Sequence, residues 1–180
     1  MKDTIRREIA LEKGVTATLQ GTVLKIKGPQ GEVIQDFTHP KVTLLVEGNK
    51  VVLTSSRGTK REKTIVGSFE SHILNSIKGV QEPHVYILKI CSGHFPMSVA
   101  LVGSEVVIKN FLGEIVPRKT SILPGSTVTV KEKEIIVTSP DKDIAGQMAA
   151  RIESLCRITN RDRRIFQDGC YIIHKAGKDI

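Results

Sequence analysis

Gly21-Thr22-Val23-Leu24-Lys25-Ile26-Lys27-Gly28-Pro29-Gln30-Gly31-Glu32-Val33-Ile34 returns later in the chain as Gly103-Ser104-Glu105-Val106-Val107-Ile108-Lys109-Asn110-Phe111-Leu112-Gly113-Glu114-Ile115-Val116. The glycines, the Ile-Lys pairs and the Gly-Glu pairs coincide without a gap. Further on, Val51-Val52-Leu53-Thr54-Ser55 matches Ile135-Ile136-Val137-Thr138-Ser139, and Ile65-Val66-Gly67 matches Ile144-Ala145-Gly146. The pieces keep their order in both halves, so the chain is read as a tandem repeat of one small module. The main difference is the stretch Ser56 to Thr64, expected to be a longer loop in the first half.

Within each copy the pattern changes from strands to a helix. Leu24 and Ile26 alternate with Val23, Lys25 and Lys27, the signature of a half-buried strand. Gly28-Pro29-Gln30-Gly31 is turn chemistry and predicts a hairpin into Glu32-Val33-Ile34. Leu44 to Val46 and Val51 to Leu53 flank Glu47-Gly48-Asn49-Lys50 as a second hairpin, and Val128 to Val130 and Ile135 to Val137 flank Lys131-Glu132-Lys133-Glu134 in the second copy. Thr59-Lys60-Arg61-Glu62 has capping-box spacing. It introduces a stripe of Ile65, Phe69, Ile73 and Ile77, widened by Val66 and Leu74, that Gly79 is placed to end. In the second copy Ser139 is the expected N-cap and Pro140 the first helical position. Asp141 and Asp143 follow near the positive end of the dipole, and Ile144, Met148, Ile152 and Leu155 form the stripe. A short antiparallel sheet and an amphipathic helix bury their apolar faces most simply against each other. The expected fold class is therefore α+β: two tandem homologous modules, each a small, mainly antiparallel β-sheet arrangement packed on one α-helix. The glycine and proline of Lys78-Gly79-Val80-Gln81-Glu82-Pro83 suggest the joint, giving modules at 1–80 and 81–180, with Tyr86 to Ile90 opening the second.

The 180 residues carry a formal charge of +8, which points to a polyanionic partner, nucleic acid before an anionic membrane. Cys91, Cys156 and Cys170 are odd in number and lack Cys-x-x-Cys spacing, against a disulfide framework or a zinc site. No apolar run is long enough to span a bilayer. The charged start from Met1 to Glu8 lacks the apolar region of a secretory signal. A cytoplasmic protein without membrane association is expected.

Catalytic constellations are not evident. Neither Gly28-Pro29-Gln30-Gly31 nor Ser55-Ser56-Arg57-Gly58-Thr59-Lys60 has phosphate-loop spacing. His39, His72, His84, His94 and His174 are scattered without ligand spacing. No enzyme activity, metal or cofactor is expected. Two basic clusters remain. Arg57, Lys60, Arg61 and Lys63 gather where the first helix begins, where cations oppose its dipole. They read either as phosphate contacts or as a solvated loop. Arg157-Ile158-Thr159-Asn160-Arg161-Asp162-Arg163-Arg164 brings four arginines around one acid. Guanidinium forks fit phosphate oxygens bidentately, and Asn160 can add a hydrogen bond to a base edge or sugar. Solvated or locally paired arginines are the alternative, but four arginines so close in a chain of formal charge +8 favour nucleic acid. With aromatics at 4% and no Trp, phosphate and shape readout of folded RNA fits better than stacking of many unpaired bases.

Thr159-Asn160-Arg161-Asp162-Arg163-Arg164-Ile165-Phe166-Gln167-Asp168-Gly169-Cys170-Tyr171-Ile172 resembles the C-terminal signature of the large-subunit ribosomal protein L six family in its archaeal and eukaryotic form. The matching core is Arg164, Phe166, Asp168-Gly169 and Tyr171. His94-Phe95-Pro96 resembles the family's segment early in the second domain, so the resemblance spans essentially the whole chain. Cys170 departs from the usual aliphatic residue, a small change for a buried hydrophobe. The resemblance implies two related α+β domains and a structural constituent of the large ribosomal subunit in the cytoplasm. It implies binding to large-subunit rRNA, mainly through the second domain, near the sarcin–ricin region and stalk base. Neighbouring ribosomal proteins and docking translation factors would then lie close by. Asn160, Arg161, Arg163 and Arg164 would face RNA, while Phe166, Asp168, Gly169 and Tyr171 would shape the tract. The alternatives are a basic polyanion-binding protein or an RNA-modifying protein outside the ribosome.

Overall fold

The computed structural model describes residues 4–56 and 58–180, and the chain divides into two units, Met1–Pro83 and His84–Ile180. Unit one contains β1 (Ile5–Ala10), β2 (Thr16–Gln20), β3 (Val23–Gly28), β4 (Gly31–Asp36), β5 (Val42–Glu47), β6 (Lys50–Ser55) and α1 (Lys60–Gln81). Its strands form two antiparallel sheets, ordered β1-β6-β5 and β2-β3-β4. The apolar faces of both converge on the helix: Leu24, Ile26, Val33, Val51 and Leu53 share one core with Val66, Ile73, Ile77 and Val80. The alternation in β3 thus marks the buried face.

The hairpin between β3 and β4 pairs Gly28 with Gly31 across a two-residue turn, and the turn is docked on the end of α1. The Gln30 amide donates to the Val80 carbonyl at 2.9 Å. A Cβ at Gly28 would come within 2.7–2.9 Å of the Val80 side chain and carbonyl, so only glycine fits there. Gly79 is itself buried within the helix, which continues to Gln81 and ends with the Glu82 amide on the Lys78 carbonyl. It therefore does not stop the helix as its spacing suggested. The capping box is not formed either. Thr59 occupies the N-cap without a side-chain cap bond, and the buried Glu62 carboxylate accepts from Lys41 Nζ at 3.2 Å. Of the presumed longer loop, Lys60–Thr64 is helix, so much of the extra length in the first copy is helical.

Unit two contains β7 (His84–Cys91), β8 (Ser98–Val102), β9 (Glu105–Lys109), a one-turn 3-10 helix (Phe111–Gly113), β10 (Arg118–Ser121), β11 (Thr127–Val130), β12 (Glu134–Ser139), α2 (Lys142–Leu155), β13 (Gly169–Lys175) and β14 (Lys178–Asp179). The sheet β10-β9-β8 matches β4-β3-β2 of unit one, and β7-β12-β11 matches β1-β6-β5. β13 pairs with the other edge of β7, and β14 follows it, making a five-stranded sheet. That added strand carries the chain out of the arginine tract. α2 is capped by Asp141, whose side chain accepts from the Asp143 amide at 2.9 Å, rather than by Ser139. The Ser139 hydroxyl is buried, donating to the Gly125 carbonyl and accepting from the Asp141 amide. The repeat also diverges after β9. Where Gly31–Ile34 already belongs to β4, the equivalent stretch of unit two forms the short helix at Phe111–Gly113 and leaves Ile115 and Val116 exposed. Phe111 fills the core in their place, 1% exposed.

Candidate nucleic-acid interface

The interface candidate is the segment between α2 and β13. It leaves the helix at Cys156, is pinned by the buried Ile158, and reverses at Asn160, whose φ is +58°. Asp162 then organises a compact turn. Its carbonyl accepts the amides of Ile165 and Phe166 at 3.1 and 2.9 Å, and its Oδ1 accepts the Arg164 amide at 2.9 Å. The same carboxylate accepts from Arg164 Nε and Nη2, and those bonds hold Asp162 below the usual carboxylate range.

A second acid fixes the turn to the rest of the unit. Asp168 is 2% exposed. Its Oδ1 accepts the backbone amides of Gly93 and His94, and its Oδ2 lies 2.9 Å from His94 Nδ1. Burial pushes its pKa up, but the amide and imidazole bonds outweigh that and leave it below the ordinary value. The His94 ring lies 4.7 Å from the Phe166 ring, and the Arg161 guanidinium sits 4.9 Å above that ring on a cation–π contact. A continuous path therefore runs from the β7–β8 loop through Asp168, His94 and Phe166 to Arg161. Gly169 follows at φ +156°, where a Cβ would meet the Tyr171 ring at 3.3 Å. Cys170 is buried, and hydrogen bonding to Cys156 together with burial pushes its thiol well above the ordinary range. It behaves as packing.

The arginines thus have different duties. Arg161 is stacked and Arg164 is paired with Asp162. Arg157 and Arg163 are exposed, and their side chains make no hydrogen bond or ion pair with another described residue. Asn160 is exposed at the bend. Lys60, Arg61 and Lys63 occupy the exposed first turn of α1, in the other unit, whereas Arg57 lies outside the described residues.

Arg118 was not distinguished by sequence reading, yet it closes the helix that leads into the tract. Its Nη1 donates to the carbonyls of Leu155 at 2.6 Å and Arg157 at 3.2 Å. Its other nitrogens grip Glu114 at 2.8 and 2.6 Å, and its plane lies 4.3 Å from the Phe111 ring. These Arg118 bonds lower the Glu114 pKa. A cation on the last carbonyls of a helix satisfies orphan acceptors and the negative end of the dipole. The spacing of Glu114 and Arg118 was the only local clue. The carbonyls that Arg118 serves lie far along the chain. His94 likewise looked isolated, because its partner Asp168 is distant in sequence.

The His94–Asp168 pair has the form of a base and its orienter. Among the described residues, however, no hydroxyl or thiol hydrogen-bonds the other imidazole nitrogen. No group of three or more His, Cys, Asp or Glu among those residues is arranged to hold a metal. Among the described residues no helix is long and apolar enough to cross a membrane.

A family profile described as Ribosomal protein L6 matches residues 12–83 and again 95–169, one match in each unit. The large ribosomal subunit protein uL6 of Saccharolobus solfataricus is 45% identical over 172 residues, covering 95% of both chains. Its counterpart in Nanoarchaeum equitans is 42% identical over 184 residues, covering 98% of this chain and 96% of its own. That of Methanospirillum hungatei is 39% identical over 173 residues, covering 96% and 98%.

Proposed function

The chain belongs to the ribosomal protein L6 family, and on that premise we propose that it is a non-catalytic structural constituent of the large ribosomal subunit, gripping rRNA with residues 157–164. One observation carries the reading: Arg157 and Arg163 stand exposed, with no hydrogen bond or ion pair to another described residue, on a loop braced by Asp162 and Asp168. Fixed cations without internal acceptors are suited to phosphate, and a braced loop loses little entropy when it binds. Asn160 and Arg164 extend the same face, and Lys60, Arg61, Lys63 and Arg57 supply a second basic contact. The protein works in the cytoplasm within the ribosome, next to the sarcin–ricin region and the stalk base. There it supports the surface on which translation factors dock, beside neighbouring large-subunit proteins.

The test is co-sedimentation with large subunits, followed by crosslinking to rRNA. Enrichment in the large-subunit fraction with crosslinks from residues 157–164 is expected. Binding to anionic vesicles with indifference to rRNA would favour a generic polyanion binder instead. Robust, mutation-sensitive turnover of RNA or nucleotides would overturn the non-catalytic reading.

A further inference from the structure

Beside the arginine loop, the surface of unit two is hollowed on both sides of a ridge made by Arg163 and Tyr171, which line both hollows. The larger, about 710 Å³, is also walled by Ser92, Ile165 and Gln167. The smaller, about 340 Å³, is walled by Arg157 and Ile158. Both volumes lie in the range of roughly 300–1,000 Å³ typical of small-ligand sites. A regular RNA duplex keeps its bases stacked inside and presents a convex backbone, so it has nothing to place in such a hollow. An unstacked nucleotide does.

The chemistry of the larger hollow suits that occupant. Tyr171 and Ile165 expose 40% and 63% of their surfaces, offering apolar faces to a base. The Ser92 hydroxyl and the Gln167 amide offer donors and acceptors for its polar edge. The Gln167 amide nitrogen makes only a long 3.4 Å bond, to the Arg164 carbonyl. The acid in the lining, Asp168, is buried, with both oxygens held by Gly93 and His94. Arg163, also in the lining, is exposed and makes no hydrogen bond or ion pair with another described residue.

We propose that the larger hollow receives one unstacked nucleotide of the bound RNA, its base against Tyr171 and Ile165, its polar edge toward Ser92 and Gln167, and its phosphate on Arg163. This rests on the RNA-binding reading and adds a local single-stranded element to what phosphate and shape recognition would require.

The experiment compares binding of the full chain to single-stranded hexanucleotides and to RNA duplexes with the same number of phosphates. Single strands should bind about fivefold or more tightly, as expected for one stacked base. Tyr171→Leu, and separately the pair Ile165→Ala with Gln167→Ala, should abolish that preference and leave duplex affinity within about twofold, while circular dichroism is unchanged. The double variant alters exposed side chains only, so it decides the matter if Tyr171→Leu fails to fold. Equal affinity for both RNAs, or a preference that survives the double variant, overturns the nucleotide site while leaving RNA binding intact. Absence of binding to either RNA overturns both readings.

Discussion

Asp168→Ala should loosen unit two and disable the arginine loop together. Three hydrogen bonds to an ionised acceptor are lost, from the Gly93 and His94 amides and the His94 imidazole. Bonds involving a charged partner contribute about 1.5–3 kcal/mol each. Gly93 and His94 are exposed, so water recovers part of the loss, and a net destabilisation of about 2–4 kcal/mol follows. In a domain of this size that corresponds to a fall of roughly 10–20 °C in Tm. Unfolding of two units is not one two-state event, but the protein reports on them separately. The sequence has no Trp and its two tyrosines, Tyr86 and Tyr171, both lie in unit two. Tyrosine fluorescence during thermal unfolding should therefore show the shift, while backbone circular dichroism retains a wild-type component from unit one. Because the Asp168 pKa is lowered on folding, its contribution is complete above the unfolded value, about 3.9, and is lost as pH falls through the lower folded value. Asp168→Asn, which keeps an acceptor for the amides, should cost less and flatten that acid dependence. A tyrosine-monitored Tm within about 2 °C of wild type for Asp168→Ala, or equal destabilisation of both units, would refute the argument.

Arg157→Ala and Arg163→Ala should each weaken rRNA binding and reduce the slope of log affinity against log salt by about one unit. Arg164→Ala should do less, since Asp162 already occupies part of its guanidinium; filter binding across a salt series measures both. Arg118→Ala should destabilise unit two by about 1–3 kcal/mol, because the Leu155 carbonyl loses a charged donor and Glu114 its partner; tyrosine-monitored urea unfolding will show it. Gly28→Ala should destabilise unit one and leave the tyrosine transition in place, because the added methyl strikes the Val80 backbone carbonyl; backbone circular dichroism resolves the two transitions.

The elements that repeat in sequence were legible because equivalent strand positions are buried in both copies, although Val107 is buried as well where Lys25 stands half-exposed in the first. Leu24 and Ile26 in β3 and Val106 and Ile108 in β9 are all buried. The helix ends were less legible. Thr59 and Glu62 have the spacing of a cap, but Glu62 is drawn into a buried contact with Lys41, and Asp141 competes successfully with Ser139 for the second helix. Gly79 could not be read locally as a helix end, because the helix runs on to Gln81 and the hairpin turn packs on it at Val80. The arginine tract was visible as composition, yet the division of labour among its arginines was not. Which guanidinium stacks, pairs or stands free depends on Phe166, Asp162 and Asp168, and the last depends on a loop far away in the chain.

Arg157 and Arg163 should meet RNA when the protein is in its particle. Hydroxyl-radical footprinting of large subunits reconstituted with the wild-type chain should reveal protected sugars. With the double variant Arg157→Ala and Arg163→Ala, added at saturation, that protection should be lost locally while the footprint of the rest of the protein persists. An identical footprint for both proteins would mean that these guanidinium groups face solvent, and would contradict the account.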